Sequence, residues 1–123
     1  METIKNISTQ EFINRITVIL KKGYITVREL ELIVPKGTND IAKKGNFEEI
    51  HKLRFKLQDG EKIEVKWHSQ DYKAGIKHPG CISSKVWTAQ IKIGQDKYVK
   101  LRKDGTVSVV KRTENRTHIP VKR

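Results

Sequence analysis

Two Asp-Gly pairs, Asp59-Gly60 and Asp104-Gly105, each stand between runs in which apolar and polar residues alternate. This pattern constrains the fold strongly, because strand side chains alternate faces and a one-residue slip reverses every one of them. Before the first pair, Leu53, Phe55 and Leu57 alternate with Arg54 and Lys56. After it, Ile63, Val65 and Trp67 alternate with Lys62, Glu64, Lys66 and His68. A two-residue turn would set Leu57 opposite Lys62. A three-residue loop, Gln58-Asp59-Gly60 with Gly60 left-handed, instead pairs Leu57 with Glu61, Phe55 with Ile63 and Leu53 with Val65. The same parity around Lys103-Asp104-Gly105 sets Val99 and Leu101 against Val109 and Val107.

A further alternating run, Trp87, Ala89, Ile91 and Ile93, turns at Gly94-Gln95-Asp96. The expectation is therefore about five antiparallel strands, with a long loop from Ser69 to Lys85 and a polar sheet face opposite an apolar one. Upstream, Ser8-Thr9-Gln10-Glu11 fits a capping box, and Phe12, Ile16, Ile19 and Leu20 follow on one helical face. The stretch Thr26 to Val34 fits two readings. Thr26-Val27-Arg28-Glu29 is a second capping box, yet Leu30, Leu32 and Val34 also alternate as a strand, and Pro35 ends either one. The fold class is α+β: an N-terminal helix, or two, packed on an antiparallel sheet in a single domain over residues 1–123. Residues 1–51 form a helical and loop part, and residues 52–123 a basic sheet and tail.

Charge divides at the same place. Residues 1–51 hold 8 Lys and Arg against 7 Asp and Glu, whereas residues 52–123 hold 18 against 7. So lopsided a block is a footprint for a polyanion, and nucleic acid fits it best. A membrane surface fits less well, because the basic residues alternate along strands instead of lining one side of an amphipathic helix. No apolar run approaches the ~20 residues that span a bilayer, and the N-terminus lacks a signal-peptide pattern, although a secretion signal upstream stays compatible with the sequence. One cysteine, Cys81, makes no internal disulfide. Walker, HExxH and Gly-x-Ser-x-Gly motifs are missing, which argues against nucleotide hydrolysis, metalloprotease and esterase chemistry.

Within the basic block lie three of the four histidines, His68, His78 and His118. The polar sheet face presents Lys56, Thr88, Lys92, Tyr98, Lys100 and Arg102, with Arg112 beyond its last strand; cations beside an aromatic suit phosphates and an unpaired base. The bland reading is that a one-sided sheet needs a polar face anyway, but Glu64 is nearly its only acid. His68 ends a strand where the long loop begins, and Asp71 is close enough in sequence to orient it. The loop also carries Lys85, and His78 with Cys81 at a spacing that would supply only half a zinc site. In the tail, Arg116, Thr117 and His118 combine a cation, a hydroxyl and a proton carrier, or else form a frayed basic end.

The run Lys66-Trp67-His68-Ser69-x-Asp71, then Ala74-Gly75, then Ser83-Ser84 leading into Trp87-Thr88-x-x-Ile91, resembles the C-terminal toxin domains of bacterial polymorphic toxins, including contact-dependent growth inhibition effectors. The resemblance covers residues 62–101 and its motifs are short. A helix followed by a basic antiparallel sheet is also similar to the barnase-like fold of RNase toxins in that group. It implies an endoribonuclease that cleaves RNA, tRNA included, with neither metal nor small-molecule cofactor. It further implies an acidic immunity protein as partner, and delivery within a larger effector to the cytoplasm of a target cell. Residue types matching the family's active sites are His68, Lys66, Thr88, Tyr98, Arg116, Thr117 and His118. The expected catalytic set is thus His68 and His118 as acid and base, with Lys66, Lys85 and Arg116 as cations, Thr117 beside them, and Asp71 orienting His68. The segment His78-Pro79-Gly80-Cys81 departs from the pattern. Two other readings compete: a non-catalytic nucleic-acid-binding module, and a winged helix-turn-helix opening at Gly23–Leu30, which Pro35 and the near-neutral charge of that half disfavour.

Overall fold

Helix α1 (Thr9–Leu20) leads into a two-residue strand β1 (Ile25–Thr26) and a short helix α2 (Val27–Leu32). Strands β2 (Ile50–Lys56) and β3 (Lys62–His68) follow, then helix α3 (Tyr72–Lys77) and strands β4 (Thr88–Ile93), β5 (Lys97–Leu101), β6 (Val107–Lys111) and β7 (Ile119–Lys122). These elements come from a computed structural model that describes residues 6–45, 47–82, 85–111 and 117–123.

The fold is α+β, and both hairpins adopt the register that side-chain parity selects. Leu53 lies opposite Val65 and Phe55 opposite Ile63; Val99 lies opposite Val109 and Leu101 opposite Val107. Gly60 and Gly105 sit at φ +85° and +86°, where a side chain would be strained, and each closes its turn. The sheet has seven strands rather than five. Its order is β1-β7-β4-β3-β2, with β5 on β4 and β6 on β5. One edge of β4 pairs with β3. The other is shared, β7 pairing at Thr88 and Ala89 and β5 at Lys92 and Ile93. The pair β1–β7 is parallel, so the sheet is mixed. Both additional strands are short, two and four residues, which is why alternation did not betray them.

The apolar face carries the core. Phe12, Ile16 and Leu20 of α1 are buried on it, with Phe12 meeting Phe55 edge to face at 6.1 Å. At the start of α1 only half the expected capping box forms. The Ser8 hydroxyl accepts the Glu11 N–H, while the Thr9 N–H donates to Asp59 Oδ2 (2.7 Å) in the first hairpin turn. The complete box is at α2, where Thr26 and Glu29 satisfy each other's backbone N–H groups. Helix therefore wins over strand at Val27–Leu32. No helix follows α2 before Tyr72 among the described residues, so a winged helix-turn-helix lacks its recognition helix.

The long loop expected from Ser69 to Lys85 is interrupted by α3. Beyond it, the Cys81 N–H donates to the His78 carbonyl (3.1 Å), closing a tight turn over Pro79-Gly80. The His-x-x-Cys spacing is thus accounted for by a turn, and among the described residues no cluster of His, Cys, Asp and Glu is arranged to hold a metal ion. No helix of the described residues is long and apolar enough to cross a membrane.

Candidate active site and nucleic-acid interface

Pleating turns the even-numbered residues of β2, β3 and β4 to the face away from α1, in rows set by the register. One row runs Ile50, His68, Thr88 and Pro120; the next runs Lys52, Lys66 and Gln90; the third runs Arg54, Glu64, Lys92 and Tyr98. His118 precedes Ile119, the partner of Ala89, and so continues the second row beside Gln90. Segments far apart in sequence converge here because β4 binds β3 on one side and β7 on the other.

His68 and His118 meet edge to face, with ring centroids 6.3 Å apart. His68 Nδ1 lies 2.7 Å from the Ser69 carbonyl oxygen. A carbonyl can only accept, so Nδ1 carries the proton and Nε2 of the neutral ring holds the lone pair. Ser69 is itself anchored: its N–H donates to the Glu49 carbonyl (2.9 Å), and its hydroxyl accepts the Glu49 N–H (3.2 Å). Phe47 lies against His68, with ring centroids 4.3 Å apart, and the histidine is 5% exposed. Gln90 Nε2 donates to Thr117 Oγ1 (3.0 Å), which fixes the chain entering His118.

Electrostatics couple these groups. Burial lowers the His68 pKa, and the Lys66 charge adds to this against the opposing Ser69 hydrogen bond and Asp71 charge. Burial also lowers that of His118, helped by the charges of His68 and Lys66 and opposed by Asp71. Lys66 is lowered as well, by burial first and then by Lys52 and Lys92. The result is two mostly neutral imidazoles beside a half-buried cation. A proton on His68 therefore disfavours one on His118, so the two titrations are linked.

Five expected catalytic residues, His68, His118, Lys66, Thr117 and Asp71, are therefore brought together. Lys85 is not. It is exposed after α3, its carbonyl accepts from Gln70 Nε2 (2.8 Å), and no contact of its ammonium with the histidines forms among the described residues. Arg116 and Arg112 lie outside the described residues. Of the expected nucleic-acid contacts, Lys56 and Arg102 are exposed, and Lys92, Tyr98 and Lys100 are half-buried on the polar face. Thr88 is a correction: it lies on that face, opposite His68, but is fully buried and cannot meet a ligand as placed. Its Oγ1 has no hydrogen-bond partner in the structure.

Sequence reasoning missed Phe47 as a member of the site; alternation puts Gln90 on the polar face, but neither it nor Ser69 was given a role. A lone aromatic in an otherwise polar loop was the available signal for Phe47. His51, outside the basic block, is also engaged. Its two ring nitrogens lie 2.7 Å from Asp40 Oδ2 and 2.8 Å from Glu49 Oε2, and its ring stacks on Trp67 on the opposite face of the sheet.

No protein family, curated protein or solved structure matches this chain.

Proposed function

We propose that the chain is a ribonuclease that cleaves RNA by internal transesterification without a metal ion. The observation that carries this reading is the His68–His118 pair, 6.3 Å between centroids, set beside Lys66 at the end of a basic sheet face. In the singly protonated pair, His68 Nε2 takes the proton of a ribose 2′-OH. The 2′-oxygen bonds to phosphorus, the P–O5′ bond breaks, and His118 gives its proton to the departing 5′-oxygen. The products are a 2′,3′-cyclic phosphate and a free 5′-OH. Lys66 stabilises the charge that builds on the phosphorane, the role a metal would otherwise fill. Lys92, Tyr98, Lys100 and Arg102 hold the strand along the face.

The toxin part of the reading rests on the resemblance of residues 62–101 and on the net charge of +12. In it, an acidic immunity protein neutralises the domain, and a larger effector delivers it to a target-cell cytoplasm where tRNA is a candidate substrate. A non-catalytic RNA-binding module is the second reading, favoured by the 5% exposure of His68. The deciding experiment incubates the purified chain with tRNA and total RNA in EDTA, beside His68→Ala and His118→Ala. Cleavage that ends in cyclic phosphate and is lost in both variants supports the nuclease. Intact RNA, or cleavage that neither substitution changes, refutes it.

A further inference from the structure

At the far end of the polar face from the histidines lies a cavity of about 470 Å³, whose polar lining is Arg54, Lys56, Lys62, Glu64, Lys92 and Gln95, beside the apolar Phe55 and Ile63. We infer that this cavity is a distal phosphate subsite, which holds RNA several nucleotides away from the bond cut at His68 and His118. This inference rests on the nuclease reading and adds a location and a length requirement to it.

Charge and geometry both favour an anion there. Four cations face the single lining carboxylate, Glu64, which already pairs with Lys52 Nζ and Arg54 Nε, each at 3.2 Å. Burial opposes ionisation of Glu64, but hydrogen bonds and charges from Lys52 and Arg54 outweigh it and lower its pKa, so its charge is fixed and already matched. Lys56, Lys62 and Lys92 form no ion pair among the described residues. Two of them, Lys56 and Lys62, are direct cross-strand partners. Like charges set opposite each other destabilise a sheet, and a bound anion relieves that cost. Glu61 limits the site on one side, since its carboxylate lies against Gly94 in the cavity wall.

The spacing suits a nucleic acid better than a small anion. His68 and Glu64 are four residues apart on β3, which at ~3.3 Å per residue sets the row of Glu64 and Lys92 about 13 Å from the histidine. A strand stacked as in a duplex rises 3.4 Å per nucleotide, so about four nucleotides cover that span, and fewer when extended. Lys66 lies along the way, on the row between His68 and Glu64.

Binding of labelled oligouridylates to the 123-residue chain tests the inference, with His68→Asn in every protein so that the probes stay intact. The octanucleotide should bind at least about tenfold more tightly than the trinucleotide, and Lys62→Glu with Lys92→Glu should remove most of that gain. Lys62→Gln with Lys92→Gln, checked by circular dichroism for native folding, should remove part of it. A length gain that survives both double variants overturns the subsite, whatever the nuclease assay gives. Intact RNA with a charge-sensitive length gain refutes the nuclease and leaves the subsite standing.

Discussion

The His68 and His118 rings approach edge to face at 6.3 Å, close enough for a proton on one to disfavour a proton on the other. Both pKa values lie below the ordinary histidine value of 6.5. The singly protonated pair is then most populated on the acid side of 6.5, and kcat/KM should trace a bell with its maximum there. Removing either ring should lower kcat/KM by about 10²–10⁴-fold, with the double variant little worse than the worse single one. In His68→Ala the His118 titration followed by NMR should move up, because a repelling charge and part of its cover are gone. A rate that climbs steadily into alkaline pH, or an unmoved His118, would contradict an acid–base pair linked through the two rings.

Phe47 is the cover over His68, and burial is the largest cause of that histidine's lowered pKa. Phe47→Ala should therefore bring the His68 titration back toward 6.5 and cost at least about 1 kcal/mol of stability, the scale of one aromatic pair before the loss of apolar burial. Phe47→Tyr should retain both properties. If the alanine variant leaves the His68 titration where it was, some other group seals the ring.

Much of this arrangement could be read from sequence, and the limits have physical causes. Parity around Asp59-Gly60 and Asp104-Gly105 specifies register, since a one-residue slip would turn Val65 away from the core in the first hairpin, and Val109 in the second. His68 was placed at a strand end, on the polar face, by the same alternation. Its neighbour in space was not, because β7 has only four residues and pairs with β4, thirty positions upstream. Strand runs that short carry no periodicity. Helix α3 was hidden for a similar reason: its six residues hold two large apolar side chains, Tyr72 and Ile76, and both are exposed. Phe47 escaped because a lone aromatic in a polar loop signals a contact without saying where the loop lands, and here it lands on His68.

Salt tests the polar face independently of catalysis. With ~4–6 phosphate contacts on single-stranded RNA, affinity should fall by about two decades over a fourfold rise in salt. The slope should shrink by roughly one contact's worth when Lys92 is replaced by Gln. Titration by fluorescence anisotropy across a salt series measures both. Affinity insensitive to salt would remove the face from the binding reading.

The last test concerns stability, at His51. Burial pulls its pKa down, but hydrogen bonds and charges from Glu49 and Asp40 outweigh that and raise it above 6.5. Below about 6.5 the imidazolium keeps both charged hydrogen bonds, and its contribution to folding is complete. As pH rises through the folded pKa the proton is lost, one nitrogen can no longer donate, and the contribution disappears. His68 and His118 act in the opposite sense: with pKa values lowered by folding, they cost stability as pH falls below about 6.5. Urea unfolding of the native chain and His51→Gln should therefore show a gap that is widest near pH 5.5 and narrows toward about pH 8.5. The same comparison with His68→Gln should show the native chain losing ground as pH falls. A His51 gap that is constant, or that widens with pH, would mean that the ring between Asp40 and Glu49 folds without its second proton.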